Sequence, residues 1–177
     1  MATPCCPMPF AKCGVETVLK IRTVKISDVG SCFAIETQCF GAMGAPRRRI
    51  LKRATLFPHG FLVAELETAV VGFINSGATN DDGVGDENFK DLFGHDPSGG
   101  NLVVFSLTVH PRHRAKGYST QLMSKFIANA RTMEKKAIFL VCQKNLIDYY
   151  VKFGYEYSKL SPLVYGGQTW HEMKFTL

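Results

Sequence analysis

The spacing of apolar residues in the first third of the chain predicts one strand followed by two helices. Residues 18–25 alternate in part between apolar and polar side chains, as a strand does. Ser27 and Asp28 then offer an N-cap to an amphipathic helix whose apolar side chains extend to Phe40. Pro46 suits the first turn of a second, basic helix that runs to residue 56, because its fixed φ is already helical.

The middle of the chain predicts two strands and a long loop. Residues 61–65 and 69–76 have the composition of strands, and the short stretch between them predicts a tight antiparallel connection. Residues 79–100 are rich in Gly, Asp and Asn, with a short apolar patch between residues 89 and 93. We expect a long surface loop here, and long loops in compact domains are usually functional or disordered.

The last third of the chain has the most regular pattern. It predicts, in order, strand 102–110, helix 115–133, strand 137–142, helix 145–153, and strands 155–160 and 169–177. The complete order, β-α-α-β-β-β-α-β-α-β-β, predicts a mixed α/β (α+β) fold with a central parallel βαβα unit. We therefore expect a single domain over residues 18–177, preceded by a flexible tail over residues 1–17.

Composition narrows the class of protein without identifying it. The 177 residues are 46% apolar and 20% charged, which are ordinary values for one globular domain. The longest apolar runs have the length of strands, far below the roughly 20 residues of a membrane span, so we expect no membrane segment. The six cysteines form no C-x-x-C pair of the kind that holds zinc. We expect no metal, and reduced thiols in the cytoplasm.

The basic residues are clustered along the chain. The formal net charge is +6, and Lys and Arg gather in residues 47–53, 112–116 and 135–136. Such clusters indicate either a solvated surface or an anionic partner, such as nucleic acid, acidic lipid or a phosphorylated cofactor. A nucleic-acid site would interleave aromatic residues with the arginines, and residues 47–53 contain none. We therefore expect no binding of nucleic acid.

One segment carries candidate chemistry. An apolar strand runs into the basic loop of residues 110–116, and Gly117 then opens a helix. Glycine lets the backbone approach a ligand closely, and the first N–H groups of a helix favour an anion. The segment matches neither the P-loop nor the dinucleotide fingerprint. It is either a phosphate cradle, to which Arg114 and Lys116 add charge, or an ordinary strand-to-helix turn with solvated basic residues.

The residues of this loop, Arg-Ala-Lys-Gly-Tyr-Ser at 114–119, resemble the R/Q-x-x-G-x-G/A loop of the GNAT superfamily of acyl-CoA N-acyltransferases. The flanking strand and helix and residues 145–155 are also similar to that superfamily's pattern. Within it, the sequence looks most like the serotonin (arylalkylamine) N-acetyltransferases over about residues 18–177. The resemblance implies the GNAT fold, acetyl-CoA as cofactor and direct acetyl transfer to a primary amine.

The resemblance also implies which residues would hold acetyl-CoA. Backbone groups of the strand that ends at Val109 would pair with the pantetheine arm, and the pyrophosphate would rest on the loop and the first turn of the helix. The expected contacts are Leu107, Thr108, Val109, Arg114, Ala115, Lys116, Gly117, Tyr118, Ser119, Thr120, Asn145 and Tyr150. Ser119 departs from the family's Gly or Ala, but its small side chain should fit.

Three positions bear on catalysis: one matches the family's pattern, and two depart from it. Tyr150 matches the family's general acid, a neutral phenol that donates a proton to a departing thiolate. It also shares a helical face with Leu146 and Phe153, which favours a packing role. The vertebrate serotonin enzymes carry two histidines on the strand before the loop, and this chain has Val103 and Phe105 at the matching positions.

A substitute for those histidines has to come from elsewhere. Glu36 lies three and four residues from Cys32, Phe33 and Phe40, within the apolar face of the first predicted helix. A carboxylate there is paired, protonated or functional, or it reaches water from the edge of the face. Glu36, His171 and water are the candidate bases. The missing histidines also leave open a protein that binds acyl-CoA without catalysis.

The acceptor site is expected to be mostly apolar. By resemblance, the substrate-binding residues are Phe40, Met43, Pro46, Phe105 and Trp170, although a tryptophan on a strand also suits a core position. Such side chains favour a small-molecule arylalkylamine as substrate. A polyamine, a lysine or a protein N-terminus is the alternative acceptor, because four acidic residues gather between residues 81 and 87. The R-R-x-S/T phosphosites of the vertebrate enzymes have no counterpart here, so we expect no phospho-dependent partner.

Overall fold

The fold is a seven-stranded mixed sheet covered by helices on both faces, in a computed structural model that describes residues 18–162 and 166–177. The strands are β1 (Leu19–Thr23), β2 (Phe61–Leu66), β3 (Ala69–Thr79), β4 (Asn101–Val109), β5 (Ala137–Cys142), β6 (Glu156–Leu160) and β7 (His171–Thr176). The α-helices are α1 (Val29–Phe40), α2 (Arg47–Leu56), α3 (Tyr118–Thr132) and α4 (Ile147–Val151). The predicted tail, residues 1–17, lies outside the described residues.

The strands lie in the order β1-β2-β3-β4-β5-β7-β6 across the sheet. β4 and β5 pair in parallel through the α3 crossover, and the other neighbouring pairs are antiparallel. The prediction of a mixed α/β fold with a central parallel unit is confirmed, and the order of the elements is the predicted one.

Each face of the sheet has its own core. On one face, α1 and α2 bury a set of side chains that includes Cys32, Ile35 and Ile50 against Phe61 and Phe73 of the sheet. On the other face, α3 packs through side chains such as Leu122 and Phe126, and Tyr150 of α4 joins this core. Apolar surface on one stripe of each helix drives this layering.

The start of α3 and the capping of α1 differ from the prediction for local reasons. Ala115 and Gly117 adopt left-handed backbone angles, φ +59° and +76°, so α3 begins only at residue 118. The Asp28 side chain does not cap α1 as predicted. It accepts the N–H of Lys25 at 2.7 Å and binds the Arg22 guanidinium instead.

The segment between β3 and β4 is a long loop, as predicted, but its apolar patch is partly buried against the sheet. Within residues 80–100, the side chains of Val84, Phe89 and Leu92 are buried, and a short 3-10 helix spans Glu87–Asp91. The Phe89 ring packs edge-to-face on Phe105 of β4, with ring centroids 5.5 Å apart. The apolar patch therefore anchors this segment to the sheet.

Candidate active site

The sheet opens into a cleft between β4 and β5. Their pairing ends at Val103 and Phe139. Beyond that point β4 stays with β3 as far as Val109, and β5 stays with β7 as far as Cys142. The two strands thus diverge, and their facing backbone edges are not paired with each other. An extended ligand can add to such an edge through main-chain hydrogen bonds.

A β-bulge in β4 changes which side chains face the acceptor side of the cleft. The register with β3 skips one residue, Phe105, so Phe105 and the next residue, Ser106, face the same side of the sheet. The Phe105 ring lies 4.3 Å from the guanidinium carbon of Arg53 in α2. The Ser106 hydroxyl donates to Glu36 in α1 at 3.0 Å.

A cavity of about 420 Å³ occupies the cleft, bounded by α1, the segment 80–100, β4 and β5. The residues of the sequence prediction that line it are Glu36, Phe40, Met43, Phe105, Leu107, Tyr150 and Trp170. The structure therefore brings together both predicted catalytic residues and most of the predicted acceptor site. Pro46 is the exception: its ring is exposed at the N-cap of α2 and does not line the cavity.

Glu36 lines this site and has one carboxylate oxygen without a hydrogen-bond partner among the described residues. The residue is 3% exposed, and its Oε1 accepts the backbone N–H of Ala45 and the hydroxyl of Ser106, both at 3.0 Å. Its Oε2 is buried and has no hydrogen-bond partner within the described part of the chain. Burial raises the pKa of Glu36 above its ordinary value, while these two donors and the charge of Arg53 oppose the rise.

Tyr150 lies on the opposite, β5 side of the cavity. Its ring is 9% exposed and packs edge-to-face on Tyr149 and Tyr155, with centroid distances of 5.1 and 5.8 Å. Burial raises the pKa of its phenol well above the ordinary value, so the hydroxyl keeps its proton at neutral pH. The packing role and a position in the cavity are therefore compatible.

Two other predicted candidates are less well placed. His171 does not line the cavity, and its ring packs near Tyr157. It is the cross-strand neighbour of Cys142, a relation that the sequence did not reveal, but no hydrogen bond joins their side chains. Burial raises the pKa of Cys142 to about 11, so its thiol is protonated at neutral pH and is a poor nucleophile.

The predicted phosphate loop fits an anionic group. A Cβ built on Gly117 would meet no atom within 4 Å, so the space beside the N-terminus of α3 is open. The Arg114 guanidinium lies 3.3 Å from the Cys39 sulfur and links this exposed loop to α1. Of the other predicted contacts, Asn145 is exposed in the turn before α4, and Thr108 and Val109 are buried.

Several cavity residues were not predicted as part of the site. They include Ser106, Cys142 and Leu146, together with charged residues from α2 and the segment 80–100, namely Arg49, Asp86, Glu87 and Lys90. The only sequence signal for Ser106 is a polar side chain within an apolar strand. For the acidic residues it is their clustering in a long loop.

The basic cluster of residues 47–53 is not a uniform solvated surface, because two of its arginines bind other parts of the chain. Arg53 is 2% exposed, and it donates to Asn75 Oδ1 at 3.1 Å and to the Lys90 carbonyl at 2.9 Å. Arg49 binds both carboxylate oxygens of Asp91. Burial lowers the pKa of Arg53 to about 9, which leaves it charged at neutral pH. These cations fasten α2 to the segment 80–100.

The described residues contain neither a helix suited to cross a membrane nor a cluster of metal ligands. Within 18–162 and 166–177, no helix combines the length and the apolar character that a bilayer crossing requires. Nor do three or more His, Cys, Asp or Glu side chains of these two ranges converge as metal ligands.

Sequence comparison finds one family and one relative. The model of the acetyltransferase (GNAT) family matches residues 31–155. The Bacillus subtilis protein named "Probable hydrolase YhcX" is 25% identical over 133 residues, which cover 71% of this chain and 26% of that protein. The chain therefore spans about a quarter of the length of this relative.

Solved structures share the fold over nearly the whole chain. The loading GNATL domain of CurA from Lyngbya majuscula has a TM-score of 0.80 at 17% identity, covering 90% of this chain and 98% of that one. The protein described as "yncA, a putative ACETYLTRANSFERASE" from Salmonella typhimurium, solved with its cofactor acetyl-CoA, has a TM-score of 0.65 at 19% identity, covering 89% of this chain and 93% of that one. At these identities the likeness shows the fold.

Proposed function

This chain belongs to the acetyltransferase (GNAT) family, and from that premise we propose that it acetylates the primary amine of a small arylalkylamine of the serotonin, tryptamine or phenylethylamine type. The family is one of N-acetyltransferases whose cofactor is acetyl-CoA. The amine acceptor, the roles of single residues and the direct course of the transfer are the parts that we propose.

The observation that carries the proposal is the unpartnered Oε2 of Glu36. It belongs to a buried carboxylate whose residue lines the same cavity as a protonated phenol, Tyr150. Acetylation of an amine needs an acceptor for the proton of the attacking nitrogen and a donor for the leaving thiolate. One group of each kind lines this cavity.

The cofactor would bind along β4 and at the start of α3. The backbone edge of residues 107–109 would pair with the pantetheine arm, and the N–H groups from Ala115 to Thr120 would receive the pyrophosphate, beside Arg114 and Lys116. When bound, acetyl-CoA supplies an acetyl group activated as a thioester. The open space at Gly117 supports this assignment.

The chain's own residues handle two protons. The amine reacts in its neutral form, and Glu36 Oε2 takes the proton that the nitrogen gives up as it becomes an amide. Ser106 and the Ala45 N–H occupy Oε1 and so orient Oε2 toward the nitrogen. The Tyr150 hydroxyl gives its proton to the leaving sulfur. Because the Cys142 thiol is protonated, we propose direct transfer without an acyl-enzyme.

The aromatic part of the acceptor would contact the apolar lining, namely Phe40, Met43, Phe105 and Trp170. Flat apolar walls with a few polar groups are typical of sites for small aromatic ligands. A cytoplasmic location is part of the proposal, and the free thiols of Cys32, Cys39 and Cys142 support it.

A polyamine, a lysine or a protein N-terminus is the alternative acceptor. Asp86 and Glu87 line the cavity, and these are two of the acidic residues that favoured this alternative in the sequence. Converging carboxylates are what a polycationic acceptor would require.

A panel assay tests the proposal. The enzyme is incubated with acetyl-CoA and, separately, with tryptamine, 2-phenylethylamine, spermidine and a lysine peptide, and both free CoA and acetylated product are measured. We expect the two arylalkylamines to have the highest kcat/KM. A preference for spermidine or the peptide would replace the proposed acceptor, and CoA release without any amine would indicate thioester hydrolysis.

A further inference from the structure

One wall of the acceptor cavity carries charged side chains that take no part in the proposed acetyl transfer. Asp86, Glu87 and Lys90 come from the segment between β3 and β4, and Arg49 comes from α2. On the proposed function, which this inference takes as its basis, these residues line the acceptor cavity together with Glu36, and the charge of Lys90 acts on the Glu36 carboxylate. Their net effect therefore bears on which amines can enter.

The carboxylates of this wall are already engaged. Asp86 Oδ1 accepts the backbone N–H groups of Asn88 at 2.8 Å and Phe89 at 3.2 Å, and so caps the short 3-10 helix. The Glu87 carboxylate lies 3.5 Å from the Lys90 ammonium. Arg49, on the same wall, binds the Asp91 carboxylate through two hydrogen bonds.

The cations of the wall are better shielded from water than its paired acid. The Lys90 side chain is 24% exposed, whereas that of Glu87 is 53% exposed. Water therefore screens Glu87 more than Lys90. Burial lowers the pKa of Lys90 to about 8, which leaves most of its population charged at neutral pH. The fully buried guanidinium of Arg53 lies behind the Phe105 ring and adds to the positive potential.

We propose that Lys90 is a specificity-determining residue that rejects acceptors with a second positive charge, so that the substrates are monoamines. At this wall the Glu87 carboxylate is already paired with Lys90, and water screens the exposed Asp86 carboxylate. A second ammonium would therefore be attracted weakly, while it would approach a half-buried cation of the same sign. Like charges within several ångströms in a partly buried site repel strongly enough to lower kcat/KM about tenfold or more. The acidic cluster between residues 81 and 87 is then not a polyamine receptor.

The test compares two acceptors of the same shape that differ by one charge. These are the 4-guanidino and 4-ureido derivatives of 2-phenylethylamine, assayed at pH 7.0. For the parental enzyme we expect kcat/KM to be at least about tenfold lower for the guanidino compound than for the ureido compound. A preference for the guanidino compound would overturn the proposal and favour a polycationic acceptor.

Two variants move this ratio in opposite directions. Lys90→Met removes the repelling charge and leaves Glu87 without its cation, so the guanidino compound should gain most of the lost kcat/KM. Glu87→Gln removes the negative charge that lies 3.5 Å from the Lys90 ammonium, so the discrimination should increase. The matched control is Lys125→Met, a change at an exposed lysine of α3, which should leave the ratio at its parental value.

The outcomes separate this inference from the proposed function. If 2-phenylethylamine and the ureido compound are acetylated but neither variant changes the ratio, the role of Lys90 is wrong and the proposed function stands. If no arylalkylamine is acetylated at all, the proposed function and the role of Lys90 are both wrong. If Lys90→Met does not fold, Glu87→Gln still tests the proposal, because the Glu87 side chain is half-exposed and its substitution should be tolerated. An unchanged guanidino-to-ureido ratio in Glu87→Gln would overturn the proposal.

Discussion

The two sides of the cleft are built in different ways. The proposed cofactor side is one continuous stretch, from Leu107 in β4 to the first turn of α3, and it offers mainly backbone groups. The acceptor side combines side chains that are distant in sequence, such as Glu36 and Ser106, which are 70 residues apart. A site made of backbone groups requires a particular backbone conformation, whereas the acceptor side requires particular side chains. Differences in substrate between proteins of this fold are therefore expected on the acceptor side.

The two sides also differ in how they hold charge. Arg114 and Lys116 on the loop are exposed, where water stabilises them. Glu36 and Arg53 on the acceptor side are buried, and burial shifts the pKa of each toward its neutral form. Substitutions on the acceptor side should therefore change rates more than substitutions on the loop.

The largest effect within this comparison is expected from Tyr150→Phe. The change removes a proton donor and keeps the ring, so kcat should fall about 10²-fold with little change in the KM of either substrate. Steady-state kinetics measure it, with Tyr149→Phe as the matched control, since Tyr149 does not line the cavity. If Tyr150→Phe kept the parental kcat, Tyr150 would have only a packing role.

The pH dependence tests whether the acceptor side contains a base that titrates near neutrality. The neutral fraction of an amine with a pKa of about 10.4 rises about tenfold per pH unit, so kcat/KM should climb steadily from about pH 6.5 to 9. The raised pKa of Tyr150 keeps its phenol protonated over this range, so no fall at the alkaline end is expected. A plateau near pH 7 would contradict this account and make His171→Ala the next variant.

The cofactor side is tested by Gly117→Val, which should weaken CoA binding about tenfold. Valine is strained at a φ of +76°, and its side chain would enter the open space beside the helix N-terminus. Gly94→Val is the matched control, because Gly94 has a φ of +72° and equally open surroundings. Calorimetry with CoA gives the answer. If the two variants bound CoA with equal affinity, the loop at Gly117 would not be the pyrophosphate site.

The smallest effect is expected from Ser106→Ala. Glu36 Oε1 keeps the Ala45 N–H, so the loss of one hydrogen bond should lower kcat/KM for the amine about threefold. Ser76→Ala is the control, because Ser76 is a buried serine of β3 that donates to the Gly60 carbonyl and not to the site. Identical kinetics for the two variants would show that Ser106 does not orient Glu36.

Much of the fold could be predicted because its signals are local. The bounds of β5 follow from one apolar run, Ala137–Cys142, and the prediction matches them. The mixed α/β fold, the acetyltransferase family and acetyl-CoA as its cofactor are confirmed. The start of α3 was predicted three residues early, because the positive φ of Ala115 has no clear signal in the sequence.

The acceptor side could be predicted only in part. Glu36 could be predicted as a candidate because the pattern of a single helix places its carboxylate on an otherwise apolar face. Its partner Ser106 could not be predicted, since the bulge at Phe105 decides which way Ser106 points. Lys90 and Arg53 depend on how the segment 80–100 packs against α2, which no local pattern specifies.

Glu36→Gln tests the central claim most directly. Glutamine keeps the size of the side chain and an oxygen for Ala45 and Ser106, but it cannot accept the amine proton. We predict that kcat/KM for 2-phenylethylamine falls about 10²-fold at every pH from about 6.5 to 9, as the loss of a general base requires. The calorimetric affinity for CoA should stay at its parental value, because the cofactor side is separate. An unchanged kcat/KM would contradict the account and leave water as the base.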